Sequence, residues 1–263
     1  MNRRNLVFNV TFAILGSLIV IFIVLPLIST LLSTTPAAFI QAFKDPQVIR
    51  SIGLTLGAGL IATLLASVTA IPLAFLLARR NFRGKRLLEA IINLPVVIPH
   101  TAAGIALLLV FGRKGVLGQW FSPLGLTFTD NLAGIVVAML FVSVPFLINM
   151  SRESFALVDE EYEKVALTDG ATPLQAFLGV TLPIAWRGVL GGAVMMWARG
   201  ISEFGAVVIL AYHPKIATVL IFERFNGFGL AAAQPIALIL ILVSLVVFLL
   251  LRILLLPGDE AAK

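Results

Sequence analysis

The chain contains no cysteine and little charge, and both absences narrow what it can be. Its 263 residues include no Cys and only two His, so disulfides, thiolate chemistry and cysteine-ligated metals are excluded. Charged residues make up 12% of the chain, whereas hydrophobic residues make up 60%. A soluble domain of this length cannot bury so much apolar surface, so the composition predicts a protein of the lipid bilayer.

Motifs for ATP hydrolysis and for intramembrane hydrolysis are also missing. The chain has no G-x-x-x-x-G-K-[ST] phosphate-binding loop. It has no H-E-x-x-H segment, and its two histidines, His100 and His213, fall in segments predicted to lie far apart. An intramembrane enzyme is therefore a disfavoured alternative, which any activity of the isolated chain toward a peptide or a lipid would revive.

Long apolar runs are what the chain has instead. A helix needs about 20 mostly apolar residues to cross the hydrocarbon core, and spans should be helical because lipid leaves strand edges unpaired. Six runs qualify, which predicts an all-α polytopic membrane protein with a single domain over residues 1–263. The spans are expected near residues 7–32, 52–78, 87–111, 132–150, 189–211 and 233–253. The first run resembles a signal peptide at its start but is too long for one, and it is predicted to be retained.

The basic residues predict the orientation of the chain in the membrane. A net charge of +6 would suggest nucleic acid as the partner of a soluble protein, but here membrane orientation explains it better. Twelve Lys and Arg residues fall on the side of both termini and six on the other, with Arg199 left inside a span. Positive loops stay in the cytoplasm, so both termini are expected there, in the cell membrane of a bacterium or archaeon. The dense group Arg79–Arg86 is interpreted as a topology determinant.

The third predicted span opens with two prolines, Pro95 and Pro99, and His100 and Thr101 follow directly. Proline within a helix removes a backbone donor and kinks the helix. We interpret His100 as a packed, hydrogen-bonded side chain rather than a ligand, and Thr101 as a candidate residue of a pathway through the membrane.

The segment between the fourth and fifth spans, residues 159–183, carries the signals of a helical hairpin. Asp159 is placed to cap a helix, and Glu160 suits its first turn and can pair with Lys164. Gly170 stands where that helix should stop. We call residues 159–183 the hairpin.

A second helix start follows within the hairpin. Thr172 is placed as its N-cap, Pro173 at its first position and Gln175 as the partner in a capping box. The prediction is a helix, a tight turn and a second short helix before Pro183.

Two small residues of the hairpin, Ala166 and Gly170, are four positions apart and are expected to share one helix face beside Glu163. Such a flat strip lets another backbone approach closely. The residues alone leave two alternatives open: a surface for a second protein, or a loop that packs under its own membrane domain.

The hairpin resembles the EAA signature of permease subunits from ABC-type importers, an alanine-rich acidic segment that is followed by I-x-L-P. The matching residues are Glu163, Ala166, Asp169, Gly170, Ala171, Phe177, Leu182 and Pro183. Val165 and Val180 depart from the alanine and isoleucine that are frequent there. The resemblance implies a coupling helix seated in a cleft of a separate ATP-hydrolysing subunit, with ATP and Mg bound on that partner and no cofactor on this chain. It assigns ATPase coupling to all of the matching residues except Phe177.

Two further stretches, Leu94–Gly118 and Ile201–Leu210, resemble the molybdate/tungstate permease branch and, more distantly, the sulfate branch. That resemblance implies a homodimer, two ATP-binding cassette subunits and an external substrate-binding protein that delivers an oxyanion. A permease for sulfate or another small solute is the alternative.

Arg199 and Glu203 are the clear ionisable pair deep in a span, spaced four residues apart on the predicted fifth helix. Charges at that depth are costly unless paired or wetted. Either the two form an ion pair that braces the helix, or, with Thr101, they line the translocation pathway for an anion.

A secondary transporter that works without ATP is a further alternative. Such proteins place several acidic or histidine residues within their spans for ion coupling, whereas Glu203 is the deep acidic residue here. No inverted repeat is obvious in the sequence. Transport that persists without an ATPase would favour this alternative.

Overall fold

The computed structural model describes residues 3–255, and every regular element in that range is helical. The α-helices are α1 (Arg3–Ser33), α2 (Pro36–Lys44), α3 (Pro46–Arg79), α4 (Lys85–Val97), α5 (His100–Phe111), α6 (Gly118–Phe121), α7 (Leu132–Ala156), α8 (Glu160–Thr168), α9 (Pro173–Ala176), α10 (Leu182–Ile201), α11 (Gly205–Leu210), α12 (Ala217–Phe228) and α13 (Leu230–Leu255). A short 3-10 helix (Ser122–Leu124) and a π turn (Phe177–Thr181) complete the described part.

The predicted fold class is confirmed. Among the described residues, five helical segments are long and apolar enough to cross a membrane, and a bent pair of helices supplies a sixth if it counts as one span. Four of the predicted spans correspond to α1, α3, α7 and α13. The two termini themselves, residues 1–2 and 256–263, lie outside the described residues, so their shared side stays a prediction.

The third span is bent more sharply than a proline kink. The axes of α4 and α5 meet at 112°, with the chain leaving the helix at Ile98. Ile98 has φ −72° and ψ 146°, the extended conformation that a following proline imposes on its neighbour. Pro99 is therefore the residue that separates the two helices, and His100 becomes the first residue of α5.

The fifth predicted span, residues 189–211, differs from the structure in two ways: it contains a break, and the helix begins earlier than predicted. Helix α10 stops at Ile201, and α11 restarts at Gly205 after a break of three residues. In the other direction, α9, the π turn and α10 follow one another without a break as one helical segment, Pro173–Ile201, so the second helix of the hairpin continues through Pro183 instead of ending before it. The π turn makes this continuity feasible: the Leu182 amide donates to the Phe177 carbonyl, five residues back, next to the proline that cannot donate.

Helix α7 lies at the centre of the bundle and packs along both α3 and α10. Its neighbour α3 presents one alanine per turn, and these side chains are at most 2% exposed: Ala58, Ala62, Ala66, Ala70 and Ala74. Small residues let helix backbones approach closely where lipid provides no hydrophobic drive for association. In contrast, the apolar stretch Phe8–Ser33 has no buried residue in this chain.

Candidate functional site

The hairpin has the capping pattern that its sequence predicted. The Asp159 carboxylate accepts the Glu161 amide at 2.9 Å and begins α8. Thr172 and Gln175 form a reciprocal capping box at the start of α9. These local hydrogen bonds satisfy amides that have no partner inside their helices, so they define where the two short helices begin.

Glu163 points toward its own membrane domain. Its Oε1 atom accepts from Arg79 Nε at 2.8 Å, from Arg79 Nη2 at 2.6 Å and from Thr181 Oγ1 at 2.8 Å. The Arg79 side chain is 8% exposed and that of Glu163 17%. The Glu163 carboxylate is therefore occupied within the chain, and it fixes α8 against the end of α3 and the start of α10.

The flat strip expected on one helix face does not form, because Gly170 lies beyond the end of α8. Gly170 has φ +95°, a left-handed conformation that terminates the helix, and the Ala171 amide donates to the Ala166 carbonyl across it. Ala166 is half-buried beside Glu163, whereas Asp169 and Gly170 are exposed.

The remaining hairpin residues divide between the surface and the membrane domain. Ala171 and Leu182 are half-buried, and Pro183 is exposed one position into α10. The hairpin exposes apolar side chains among its charged ones: Tyr162 is 58% exposed, Val165 60% and Leu174 64%. Several large apolar side chains exposed on one short polar connection are typical of a protein interface.

Arg199, Glu203 and His100 meet in one polar cluster. The Glu203 Oε2 atom lies 3.0 Å from Arg199 Nη2 and 2.9 Å from His100 Nδ1. Arg199 Nη2 is also 2.8 Å from His100 Nε2, and Arg199 Nη1 donates to Ser202 Oγ at 3.2 Å. With its proton on Nδ1, His100 donates to Glu203 and accepts from Arg199. We call these four residues the polar cluster.

The polar cluster lies at the break between α10 and α11. Glu203 follows the last turn of α10 instead of continuing it, and its side chain is fully buried. Its Oε1 atom accepts the Ala206 amide at 2.8 Å, and its carbonyl accepts from Thr218 Oγ1 at 2.8 Å. Arg199 and His100 are 22% and 36% exposed, so the carboxylate is the inner member and the two donors face outward.

Close packing of α5 on α11 brings His100 to this break. A Cβ atom on Gly205 would lie 2.8 Å from the His100 Cβ, and one on Gly104 would lie 2.8 Å from the Ile209 Cβ. Only glycine permits such an approach. Thr101 follows His100 in α5 and is exposed beside the cluster. The three predicted pathway residues are therefore brought to one region.

The roles of two residues at these sites are not predicted by the sequence. Arg79 belongs to a run of basic residues, and nothing in that run indicates that Arg79 is half-buried whereas Arg80 is exposed. His100 is hydrogen-bonded, as predicted, but nothing in the sequence indicates that its partners are Glu203 and Arg199, the second of which is 99 residues away. Its position directly after Pro99 was the available signal.

At the end of the bundle opposite the hairpin, charged residues tie the loop after α11 to α12. Lys215 Nζ lies 2.6 Å from Glu223 Oε2, and this hydrogen bond lowers the pKa of the Glu223 carboxyl. Burial and the Glu223 charge raise the pKa of Tyr212, which donates to Glu223 at 3.2 Å. Within residues 3–255, no three His, Asp or Glu side chains are grouped as metal ligands.

Comparison with known proteins identifies the family of this chain. The model of the family described as "Binding-protein-dependent transport system inner membrane component" matches residues 70–256. The chain belongs to this family. It is therefore an inner-membrane permease component, and its role is transport, not catalysis.

Several permeases are similar to this chain over most of its length. The molybdate/tungstate transport system permease protein WtpB of Pyrococcus furiosus is 44% identical over 99% of this chain and 100% of that protein. The protein of the same name from Methanocaldococcus jannaschii is 39% identical over 93% of this chain and 96% of its own. The sulfate transport system permease protein CysT of Escherichia coli is 32% identical over 80% of this chain and 77% of that protein.

Solved structures share the fold at low sequence identity. A bacterial ABC transporter that imports the acidic polysaccharide alginate matches with a TM-score of 0.76 and 18% identity, covering 98% of both chains. The MetNI methionine ABC transporter matches with a TM-score of 0.64 and 18% identity, covering 79% of this chain and 94% of that one. The family member thus has the permease fold of ABC importers.

Proposed function

We propose that this permease translocates an oxyanion, molybdate or tungstate, in an ATP-driven importer. Identity of 39–44% to permeases named for molybdate/tungstate transport, over nearly the full chain, is the observation that carries the proposal. Sulfate is the second candidate, since the sulfate permease of Escherichia coli is 32% identical to this chain. The three oxyanions are tetrahedral dianions, so the same donors would serve each of them.

ATP is hydrolysed on two separate ATP-binding cassette subunits, which also bind Mg, and the hairpin is where they attach. Support comes from the exposed apolar side chains of Tyr162, Val165 and Leu174 and from exposed Asp169 and Gly170. The match to the EAA signature lies in the same segment. Glu163 and Ala166 then lie on the side of the hairpin that faces the membrane domain, where they hold the hairpin against that domain.

A second copy of the chain completes the permease, and an external binding protein delivers the anion. One solved relative of this fold is an alginate transporter in complex with its periplasmic protein, which supports a partner of this kind. With the hairpin in the cytoplasm, both termini lie on that side, in the cell membrane of a bacterium or archaeon.

We propose that the polar cluster lines the translocation pathway and contacts the passing anion. Arg199 offers N–H donors that are partly exposed, and the buried Glu203 carboxylate holds both Arg199 and His100 in place. Thr101 adds a hydroxyl at the start of α5. Because Glu203 balances the charge of Arg199, an anion would be held only weakly, and weak binding is what permits passage.

The proposed function is tested by co-purifying the chain with ATP-binding subunits from the same organism and reconstituting the complex in vesicles. We expect ATP hydrolysis to rise when the binding protein is loaded with molybdate or tungstate, and to rise less with sulfate. A sulfate response larger than the other two would assign the permease to sulfate. ATP-independent uptake by the chain alone would replace the importer with a secondary transporter.

A further inference from the structure

Four helical segments meet at one nearly buried guanidinium at the hairpin end of the bundle. All three nitrogens of Arg79 are engaged: Nε and Nη2 with Glu163, Nη1 with the Phe155 carbonyl at 2.9 Å and Nη2 with the Val158 carbonyl at 2.9 Å. Thr181, which is fully buried in the π turn, donates to the same Glu163 oxygen. The ends of α3 and α7, helix α8 and the segment leading into α10 are thereby joined.

An aromatic layer seals this junction from the membrane side. Phe75 of α3, Phe155 of α7 and Phe177 of the π turn pack together with ring centroids 4.7–5.8 Å apart. The Arg79 guanidinium carbon lies 5.9 Å from the Phe75 centroid. Exclusion of water strengthens each hydrogen bond and makes a half-broken pair costly. The junction therefore favours all of its bonds formed together.

Helix α3 extends from this junction to the polar cluster. The Trp197 indole donates to the Leu56 carbonyl of α3 at 3.1 Å. A Cβ atom on Gly59 of α3 would lie 2.9 Å from Ile201 Cγ2, at the residue where α10 stops. Gly59 is 20 positions before Arg79, which is about 30 Å along the helix axis. One unbroken helix thus contacts both the hairpin and the break that carries Arg199 and Glu203.

We propose that Arg79 is the positioning residue that transmits movement of the hairpin to the membrane-spanning helices. When a partner displaces α8, Glu163 pulls Arg79, and α3 moves with the end of α7 and the start of α10. Movement of α3 then shifts Ile201 and the adjacent polar cluster. This inference rests on the proposed function, because it supposes a partner that moves the hairpin.

The matched pair Arg79→Lys and Arg80→Lys tests this inference in the reconstituted complex. Lysine keeps the positive charge of the loop, but it replaces the fork of Arg79 with a single ammonium group. Molybdate taken up per ATP hydrolysed is expected to fall by about tenfold or more for Arg79→Lys, within the usual range of coupling between sites. Arg80→Lys should leave the ratio unchanged, because Arg80 is exposed.

The Thr181→Val variant is a second test, because valine has nearly the volume of threonine and the charges of Arg79 and Glu163 are unchanged. It removes one hydrogen bond to Glu163, and we expect an intermediate loss of the uptake-to-hydrolysis ratio. If the folded Arg79→Lys and Thr181→Val complexes both keep the wild-type ratio, Arg79 only stabilises the fold and the inference is overturned. A wild-type complex without ATP-dependent uptake of molybdate, tungstate or sulfate would instead refute the proposed function.

Discussion

The Arg199→Met substitution is expected to reduce both the folded yield of the protein and its rate of anion uptake. The double variant Arg199→Met/Glu203→Gln is expected to recover the folded yield but not the uptake rate. Methionine keeps much of the arginine volume but leaves the buried Glu203 without its cation, which costs up to about 3–5 kcal/mol. Glutamine removes that charge while its oxygen still accepts the Ala206 amide, now 2.8 Å from the carboxylate. Folded yield from detergent gel filtration and uptake in vesicles measure the two effects separately.

This pair of variants decides between the two interpretations of the polar cluster. If Arg199 contacts the anion, the double variant should transport at a rate about tenfold or more below wild type, as expected when a charged contact is lost. Wild-type uptake by the double variant would mean that Arg199 and Glu203 only brace the break after α10. Equal yields of the single and double variants would refute the energetic pairing itself.

Gly170→Trp is expected to prevent attachment of the ATP-binding subunits while the chain still inserts and folds. A Cβ atom at Gly170 meets nothing within 4 Å in this chain, so a side chain added there starts in open space. Because Gly170 is exposed, the indole would stand on the surface of the hairpin at which the ATP-binding subunits are proposed to attach. We expect the amount of co-purified ATP-binding subunit to fall by about tenfold or more, as for other central interface positions.

Gly170→Ala is the control for backbone strain in that experiment. At φ +95°, any L residue is strained, by about 1–2 kcal/mol, and alanine carries this cost without the added bulk. The comparison of tryptophan with alanine therefore isolates contact with a partner. If both variants retain the ATP-binding subunits equally, the outward face near Gly170 is not the docking surface.

The hairpin was predictable from the sequence because its structure is local. Caps at Asp159 and Thr172 depend on residues two or three positions away, and the stop at Gly170 depends on residues within five positions. The end of the second helix was not predictable in the same way. Pro183 looks like a terminator, but the π turn before it rearranges the backbone hydrogen bonds and lets the helix continue.

The contacts of Glu163 and His100 depend on distant parts of the chain. Glu163 is 84 residues from Arg79, and His100 is 99 residues from Arg199. Periodicity and charge spacing detect partners on the same helix, so they found Arg199 with Glu203 but not the other members of the cluster. The predicted fifth span missed the break for a related reason: residues 189–211 are apolar on both sides of it, and hydropathy does not register backbone geometry.

Single-cysteine labelling measures the central claim most directly, since the chain has no cysteine of its own. Leu174 on the hairpin is 64% exposed and Trp120 at the opposite end 72% exposed, so either accepts the substitution to Cys without disturbing the core. We predict that an impermeant maleimide modifies Leu174→Cys only from the cytoplasmic side and Trp120→Cys only from outside. Bound ATP-binding subunits should protect Leu174→Cys alone. Labelling of Leu174→Cys from outside, or equal labelling with and without those subunits, would contradict the account.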